Sequence, residues 1–209
     1  MAKYTGPACR QCRREGCKLF LKGDRCFSSK CAMERRATLP GQHGASKRFT
    51  TKEYGKQLRE KQKTKRYYGI LENQFRNYFA KADVKEGLTG ENLLVLIERR
   101  LDNVVYRAGF AQSRRDARQL VLHRHFTVNG KIANIPSLLV KPGDVIALKA
   151  TSKELPKFKA MMETLDANIS AKWLTVDAEN VTVTVSVMPT REDVDFEINE
   201  QLIVELYSK

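Results

Sequence analysis

Apolar positions along this chain repeat with two periods, and the changes from one to the other divide it into segments. The first fifty residues follow neither. Between residues 9 and 31 the only large apolar side chains are Leu19, Phe20, Leu21 and Phe27. Residues 32–50, AMERRATLPGQHGASKRFT, read as an extended connector with a turn at PGQHG. From Thr50 to Ala82 the spacing becomes helical, with Thr51 as the cap and Glu53 in the first turn. Ile70, Leu71, Phe75, Tyr78 and Phe79 keep helical spacing and are assigned to a core. Gly87 and Gly90 mark a break. GENLLVLIERRLDNVVYRAGF then predicts a strong helix, with Leu93, Leu94, Ile97 and Leu101 on one stripe and Val104, Val105 and Ala108 beyond a kink.

The period shortens after residue 125. Ser113, followed three residues later by Asp116, has the form of a capping box and opens a helix running to about His123. Ala117, Leu120 and Val121 are its inward positions. FTVNGKIANI places β-formers on both sides of Asn129-Gly130, the pair a type I′ hairpin turn favours. VKPGDVIAL supplies another turn and a strand, Val145 to Leu148. KELPKFKAMMETLDAN predicts an amphipathic helix that puts Met161 and Met162 in the core. LTVDAENVTVTVSVMP predicts two strands about an Ala-Glu-Asn turn, with clean alternation from Val181 to Val187. Leu202, Ile203 and Leu206 restore helical spacing near the end. Helices followed by helix-plus-strand units give an α+β fold with a small, mostly antiparallel β-sheet.

Charge changes the picture more than overall composition does. The 209 residues are 42% hydrophobic and 30% charged, with a formal net charge of +14. Residues 1–66 hold 19 Lys and Arg against 5 Asp and Glu, whereas residues 67–209 hold 19 of each. An excess confined to one third of a chain points to a polyanion partner. Nucleic acid is favoured over membrane, because no apolar run approaches the ~18 residues of a spanning helix. The basic N-terminus is not followed by a signal-peptide core, and no lipidation motif is present. A soluble, cytoplasmic protein is expected. Residues 167–209 carry 8 acidic and 3 basic residues, so that segment should pack on protein or on the basic helices and not on nucleic acid.

All five cysteines fall in CRQCRREGCKLFLKGDRCFSSKC. Disulfides are disfavoured by the odd count and by the absence of any secretion signal. Four large apolar residues cannot offset the ordering entropy of about thirty residues at ~1–2 kcal/mol each. A four-thiolate structural zinc contributes ~10–16 kcal/mol and can. The C-x-x-C pair Cys9 and Cys12 with the C-x4-C pair Cys26 and Cys31 is the expected ligand set for one Zn2+, and Cys17 is the spare. With four protein ligands no coordination position stays open, so the metal is structural and not catalytic. His43 alone indicates neither a metal nor a base.

Two groups of cations carry the candidate binding chemistry. Lys52, Lys56, Arg59, Lys63 and Arg66 recur at steps of four and three, a stripe of about 21 Å at 1.5 Å per residue, widened by Lys61 and Lys65. Such stacking costs helix stability and makes sense if phosphates neutralise it. Arg114, Arg115 and Arg118, with Gln119 beside them, form a fork on the helix before the hairpin. Arg side chains grip phosphate oxygens bidentately, and a rigid base reduces the entropy lost on binding. Arg99, Arg100 and Arg107 lie off the apolar stripe of their helix. The remaining candidate contacts are Arg10, Arg13, Arg14, Lys22, Arg35, Arg36, Lys47, Arg48, Ser113, His123 and Lys131. His123 and His125 read as RNA-facing or helix-terminal residues.

SRRDARQLVLHRHFTVNGKIANIPSLLVKPGD resembles the αL-type RNA-binding module found in ribosomal proteins, some pseudouridine synthases, tyrosyl-tRNA synthetases and a small heat-shock RNA binder. CRREG, KCAMERR, LPGQHG, LREKQK, YGILENQFRNYF, RLDNVVYRAGFAQSRRDARQLV and NEQLIVELYSK extend the likeness over the whole chain to the bacterial family of ribosomal protein four of the small subunit. The resemblance implies a primary binder of small-subunit ribosomal RNA. Such a protein grips a five-way helical junction in the 5′ domain of 16S rRNA, nucleates assembly of the subunit body and contributes to translational accuracy. It implies further partners in ribosomal protein five of the same subunit and in messenger RNA near the entry channel, with no membrane and no small-molecule substrate. The Cys9, Cys12, Cys26, Cys31 pattern matches the family's zinc-binding branch, and Cys17 departs from it. The implied organisation is a zinc knuckle and basic extended arm at 1–45 and a helical domain at 46–97, joined by the C-terminal helix 196–209. An RNA-binding α+β domain at 98–195 follows, with the module at about 99–165 as an insertion.

Two alternatives use the same module. An RNA-modifying enzyme would need a further catalytic domain, for which too few residues remain after 149, and three histidines do not suggest acid–base catalysis. A zinc-dependent nucleic-acid-binding regulator would prefer duplex DNA to junction RNA.

Overall fold

The structure is a computed structural model that describes residues 3–46, 52–163, 165, 171–178 and 180–208. Helices come first: α1 (Ala8–Glu15), α2 (Ala32–Arg35), α3 (Glu53–Tyr67), α4 (Glu72–Asp83), α5 (Thr89–Glu98), α6 (Leu101–Arg107) and α7 (Arg114–Leu122). Strands β1 (Phe126–Val128), β2 (Lys131–Ala133) and β3 (Val145–Leu148) follow, then α8 (Ala150–Lys153), α9 (Pro156–Met162), β4 (Leu174–Asp177), β5 (Thr182–Val185) and α10 (Glu200–Tyr207). The chain divides into two compact units, one of residues 1–93 with 196–209 and one of residues 94–195.

In the first unit α10 packs on α3. Phe75 and Ile203 are fully buried, and the ring of Tyr207 lies 4.6 Å from that of Phe79. Tyr67 stacks on Phe196 at 4.1 Å. Polar contacts fix the pairing: Gln57 Nε2 donates to Glu205 at 2.9 Å, and the Asn199 N–H donates to Glu60 at 2.9 Å. Gly90 permits the approach, because a Cβ there would stand 2.8 Å from Cβ of Glu200. The helical run expected from Thr50 to Ala82 is two helices, parted where Gly69 adopts φ 66°. The cap position of α3 is Lys52, and Thr51 lies outside the described residues.

The second unit is a five-stranded antiparallel sheet, ordered β2-β1-β3-β5-β4, with helices over one face. Phe126 pairs with Leu148 and Ile146 with Val183, and all four are buried. They meet Leu101, Val104, Val105, Phe110, Phe158 and Trp173 in one core. Asn129 (φ 49°) and Gly130 (φ 77°) both take positive φ, as a type I′ turn requires. The single kinked helix expected across residues 90–108 is broken outright at Arg99–Arg100. The first free amides of α6, on Leu101 and Asp102, donate to the carbonyls of Leu138 (2.8 Å) and Pro136 (3.1 Å). The amphipathic helix expected from Lys153 is the shorter α9, opened by Pro156, and the separate helix α8 ends where it was to begin.

Candidate nucleic-acid interface

Helix α7 is fixed before any ligand arrives. Ser113 caps it by accepting the Asp116 N–H at 3.3 Å, as its sequence predicts. The reciprocal half of a capping box is replaced by an ion pair, because Asp116 Oδ1 accepts from Lys157 Nζ at 2.6 Å. Beneath the helix runs a buried chain of charges. Glu98 and Arg107 are both fully buried and joined at 2.9 and 3.2 Å, and Arg107 Nη1 reaches Asp195 at 2.7 Å. Burial alone would lower the Arg107 pKa, but Glu98 and Asp195 hold it well above the usual guanidinium range. Asn103 donates to the Glu98 carbonyl at 3.0 Å and accepts from Arg114 Nε at 2.7 Å. Arg114 also lies 4.4 Å over the Tyr106 ring. Asp102 takes Arg100 at 3.0 and 2.6 Å and Arg118 at 3.1 Å.

This network corrects the expected arginine fork. Arg100 and Arg107 are wholly interior, so they cannot touch RNA directly. Arg99, Arg114 and Arg118 are also buried, and Arg99 Nε donates to the Val140 carbonyl at 2.8 Å. Burial lowers the Arg99 pKa and Asp144 opposes it. The physical reason is helical phase. Arg114 and Arg118 share a face with the core residues Ala117 and Val121 and find their partners on α6. The face left exposed on α7 is Arg115, Gln119 and His123, spaced four apart. It continues into Arg124, exposed with a left-handed φ of 62°, and across the hairpin to exposed Lys131.

The turn at the sheet end is braced as well. Asn129 Nδ2 donates to Asp144 at 2.8 Å, the Val145 N–H donates back to Asn129 at 2.9 Å, and the Lys141 N–H donates to Asp144 at 2.7 Å. Arg124 and the exposed Lys141 were not anticipated from the sequence. A helix end and a Pro-Gly turn were the available signals.

The α3 stripe differs from its expected form. Lys56 pairs with Glu53 at 3.3 Å, Lys63 with Glu60 at 2.8 Å, and Arg59 with Glu15 at 3.2 Å. Arg66 also bonds Glu15. Lys61 and Lys65 share Glu72 at 2.7 and 2.8 Å. The stripe therefore carries carboxylates that periodicity alone did not reveal, while Lys52 is exposed. Lys47 and Arg48 lie outside the described residues.

In the cysteine-bearing segment Arg10, Lys22, Arg35 and Arg36 are exposed and Arg14 is half-buried. Arg13 instead clamps the connector, donating to the carbonyls of Thr38 (2.8 Å) and Leu39 (3.1 Å). Gly44 makes that fold of the connector passable, since a Cβ there would stand 1.8 Å from the Leu39 oxygen. Cys9, Cys12, Cys26 and Cys31 line one small pocket with Leu21, Lys22 and Met33. Among the described residues no group of three or more His, Cys, Asp or Glu side chains is arranged to hold a metal ion. The chemistry of the donor set nonetheless fits one. Burial, then the neighbouring thiols Cys26, Cys9 and Cys31, push the Cys12 pKa up against a backbone hydrogen bond from Leu19. A divalent cation among them would reverse that sign. Cys17 stands apart from the pocket lining, its thiol pushed up to about 11 chiefly by burial.

One arrangement could be mistaken for catalysis: His125 Nδ1 lies 2.9 Å from Ser152 Oγ. Ser152 is buried, and burial followed by His123, Lys157 and Lys149 lowers the His125 pKa. A substrate has no access to that hydroxyl, and the pair ties α8 to β1. Among the described residues no helix is long and apolar enough to cross a membrane.

A family model described as the ribosomal protein S4/S9 N-terminal domain matches residues 3–98, and one described as the S4 domain matches residues 99–146. The chain is 62% identical over 209 residues to the small ribosomal subunit protein uS4 of Syntrophomonas wolfei, covering 100% of both chains. Over the same full length it is 61% identical to that of Acetivibrio thermocellus and 58% identical to that of Clostridioides difficile.

Proposed function

The chain belongs to the uS4 family of small ribosomal subunit proteins, structural components and not enzymes, and from that premise we propose how it holds its RNA. As a structural constituent of the small subunit it works in the cytoplasm and binds ribosomal RNA. In our reading it is a primary binder that grips a helical junction in the 5′ domain of 16S rRNA, nucleates assembly of the subunit body and supports decoding accuracy.

The observation that carries this reading is the exposed face of α7 fixed over a buried ion network. Arg115, Gln119, His123 and Lys131 are presented from a rigid base, so little order is lost when they meet phosphates. Junction RNA hides most base edges in a deep, narrow groove, and backbone and shape contacts should dominate. Arg10, Lys22, Arg35, Arg36 and Lys52 supply further phosphate contacts from the first unit. Arg114 and Arg118 act from below by holding α7 to α6, and Arg99, Arg100 and Arg107 brace the α5–α6 junction beneath them through Val140, Asp102, Glu98 and Asp195.

Cys9, Cys12, Cys26 and Cys31 are the residues that would hold one structural zinc ion. When bound, the ion would supply a crosslink between α1 and the segment around α2. Ribosomal protein five and messenger RNA at the entry channel complete the proposed partners.

Footprinting of the purified protein on naked small-subunit ribosomal RNA, with metal content measured on the same sample, tests the reading. Protections clustered at one multi-helix junction of the 5′ domain, with one zinc per chain, are expected. Diffuse protections, or uridine modification of the RNA, would contradict it.

A further inference from the structure

Helix α3 carries two arginines seven residues apart, Arg59 and Arg66, whose Nη1 atoms converge on a single oxygen of Glu15 at the end of α1. The Glu15 side chain is only 1% exposed, while those of Arg59 and Arg66 keep 20% and 23% of their surface. The second Glu15 oxygen is buried and has no hydrogen-bond partner among the described residues. Arg14 also faces this carboxylate. One negative charge therefore sits among three positive ones, and the two α3 arginines keep part of their side chains at the surface although burial lowers the Arg59 pKa against Glu15.

We infer that Glu15 is a positioning residue that gathers Arg59 and Arg66 into a two-arginine fork for one RNA phosphate. The inference rests on the RNA-binding reading above. Two guanidinium groups on one helix face repel each other. Left alone, each would sample its many rotamers, and ordering both on binding would cost affinity. A shared carboxylate oxygen removes both problems. Each guanidinium has five N–H donors, and Glu15 engages Nη1 of each group, leaving outer donors to face a phosphate. The cysteine-bearing segment would then act on RNA through the arginines of α3 as well as through its own cations. The alternative use of the same contact, a carboxylate that competes with phosphate, predicts the opposite sign and is decided by the same measurement.

The full-length protein is titrated onto small-subunit ribosomal RNA by filter binding at fixed salt. Four variants accompany it: Glu15→Gln; Arg59→Lys with Arg66→Lys; Arg59→Ala with Arg66→Ala; and the alanine pair carrying Glu15→Gln. Glu15→Gln should bind about tenfold more weakly, the size of one charge-assisted hydrogen bond. The lysine pair should lose a similar factor although its charge is unchanged, because lysine lacks the planar fork. In the alanine-pair background Glu15→Gln should change nothing further. Unchanged or tighter binding by Glu15→Gln, full affinity in the lysine pair, or the same loss repeated in the alanine-pair background would each overturn the inference. Thermal melts accompany every variant, and if Glu15→Gln does not fold the lysine pair decides. Failure of the wild-type protein to bind this RNA would strike the proposed function instead, so the two failures are separable.

Discussion

The side chains that most constrain this molecule are charged ones without access to water. Glu98 and Arg107 are both fully buried and paired, with the half-exposed Asp195 as the second carboxylate of Arg107. Removing Glu98 takes away the buried counter-charge of that interior guanidinium. Glu98→Ala should therefore lose about 3–5 kcal/mol of unfolding free energy, measured by denaturant titration. A loss within about half a kcal/mol, the range usual for surface substitutions, would show that the pair is dispensable. Glu72 gives a pH signature. Burial acts to raise its pKa, but Lys61, Lys65 and the Tyr207 hydroxyl prevail and bring it down to about 2 from an ordinary 4.5. A carboxylate whose folded pKa lies below its unfolded value stabilises the fold above the unfolded value and loses that contribution as pH falls through the folded one. The stability difference between wild type and Glu72→Gln should hold near neutrality and shrink from pH 4.5 towards pH 2. A difference that grows on acidification would reverse the assignment. The phase that Arg114 and Arg118 share with Ala117 and Val121 was readable on a helical wheel, but the groups that make their burial tolerable, Asn103 and Asp102, lie on another helix, which the wheel does not show.

At the level of elements, what local chemistry dictates was legible and what distant partners dictate was not. The Asn129-Gly130 turn, strand β3 and the Ser113 cap follow from backbone preferences that need no neighbour. Ser113→Ala should cost about 1 kcal/mol, and Gly130→Ala, at φ 77°, a similar amount. Thermal melts would register both, and an unchanged midpoint in either would deny the cap or the turn its role. The break between α5 and α6 could not be read, because the carbonyls that take up the α6 amides belong to Pro136 and Leu138, over thirty residues away. The α8–α9 break was readable in principle, since the residue before Pro156 is biased away from helix. On α3 the cation spacing was clear, but the carboxylates gathered on it come partly from α1 and α4.

For the molecule as a whole, the net charge of +14 bears on affinity more than on fold. Even with much of the α3 stripe paired internally, Arg10, Lys22, Arg35, Arg36, Arg115 and Lys131 remain exposed. Six phosphate contacts would make RNA affinity fall about a thousandfold between 50 and 200 mM salt. Binding that stays flat across that range would rule out phosphate neutralisation as the source of affinity.

The return of α10 to α3 has a consequence for how the protein emerges during translation. Residues 94–195 form a continuous stretch and can close their core as soon as they leave the exit tunnel. The first unit cannot do so, since Phe196, Ile203 and Tyr207, which complete its packing, are synthesised after everything they touch. The earliest part of the chain to appear, which is also its most cationic, must therefore wait in an unfinished state while a later part matures. A released chain ending at residue 195 should show a protease-resistant second unit beside a protease-sensitive first one.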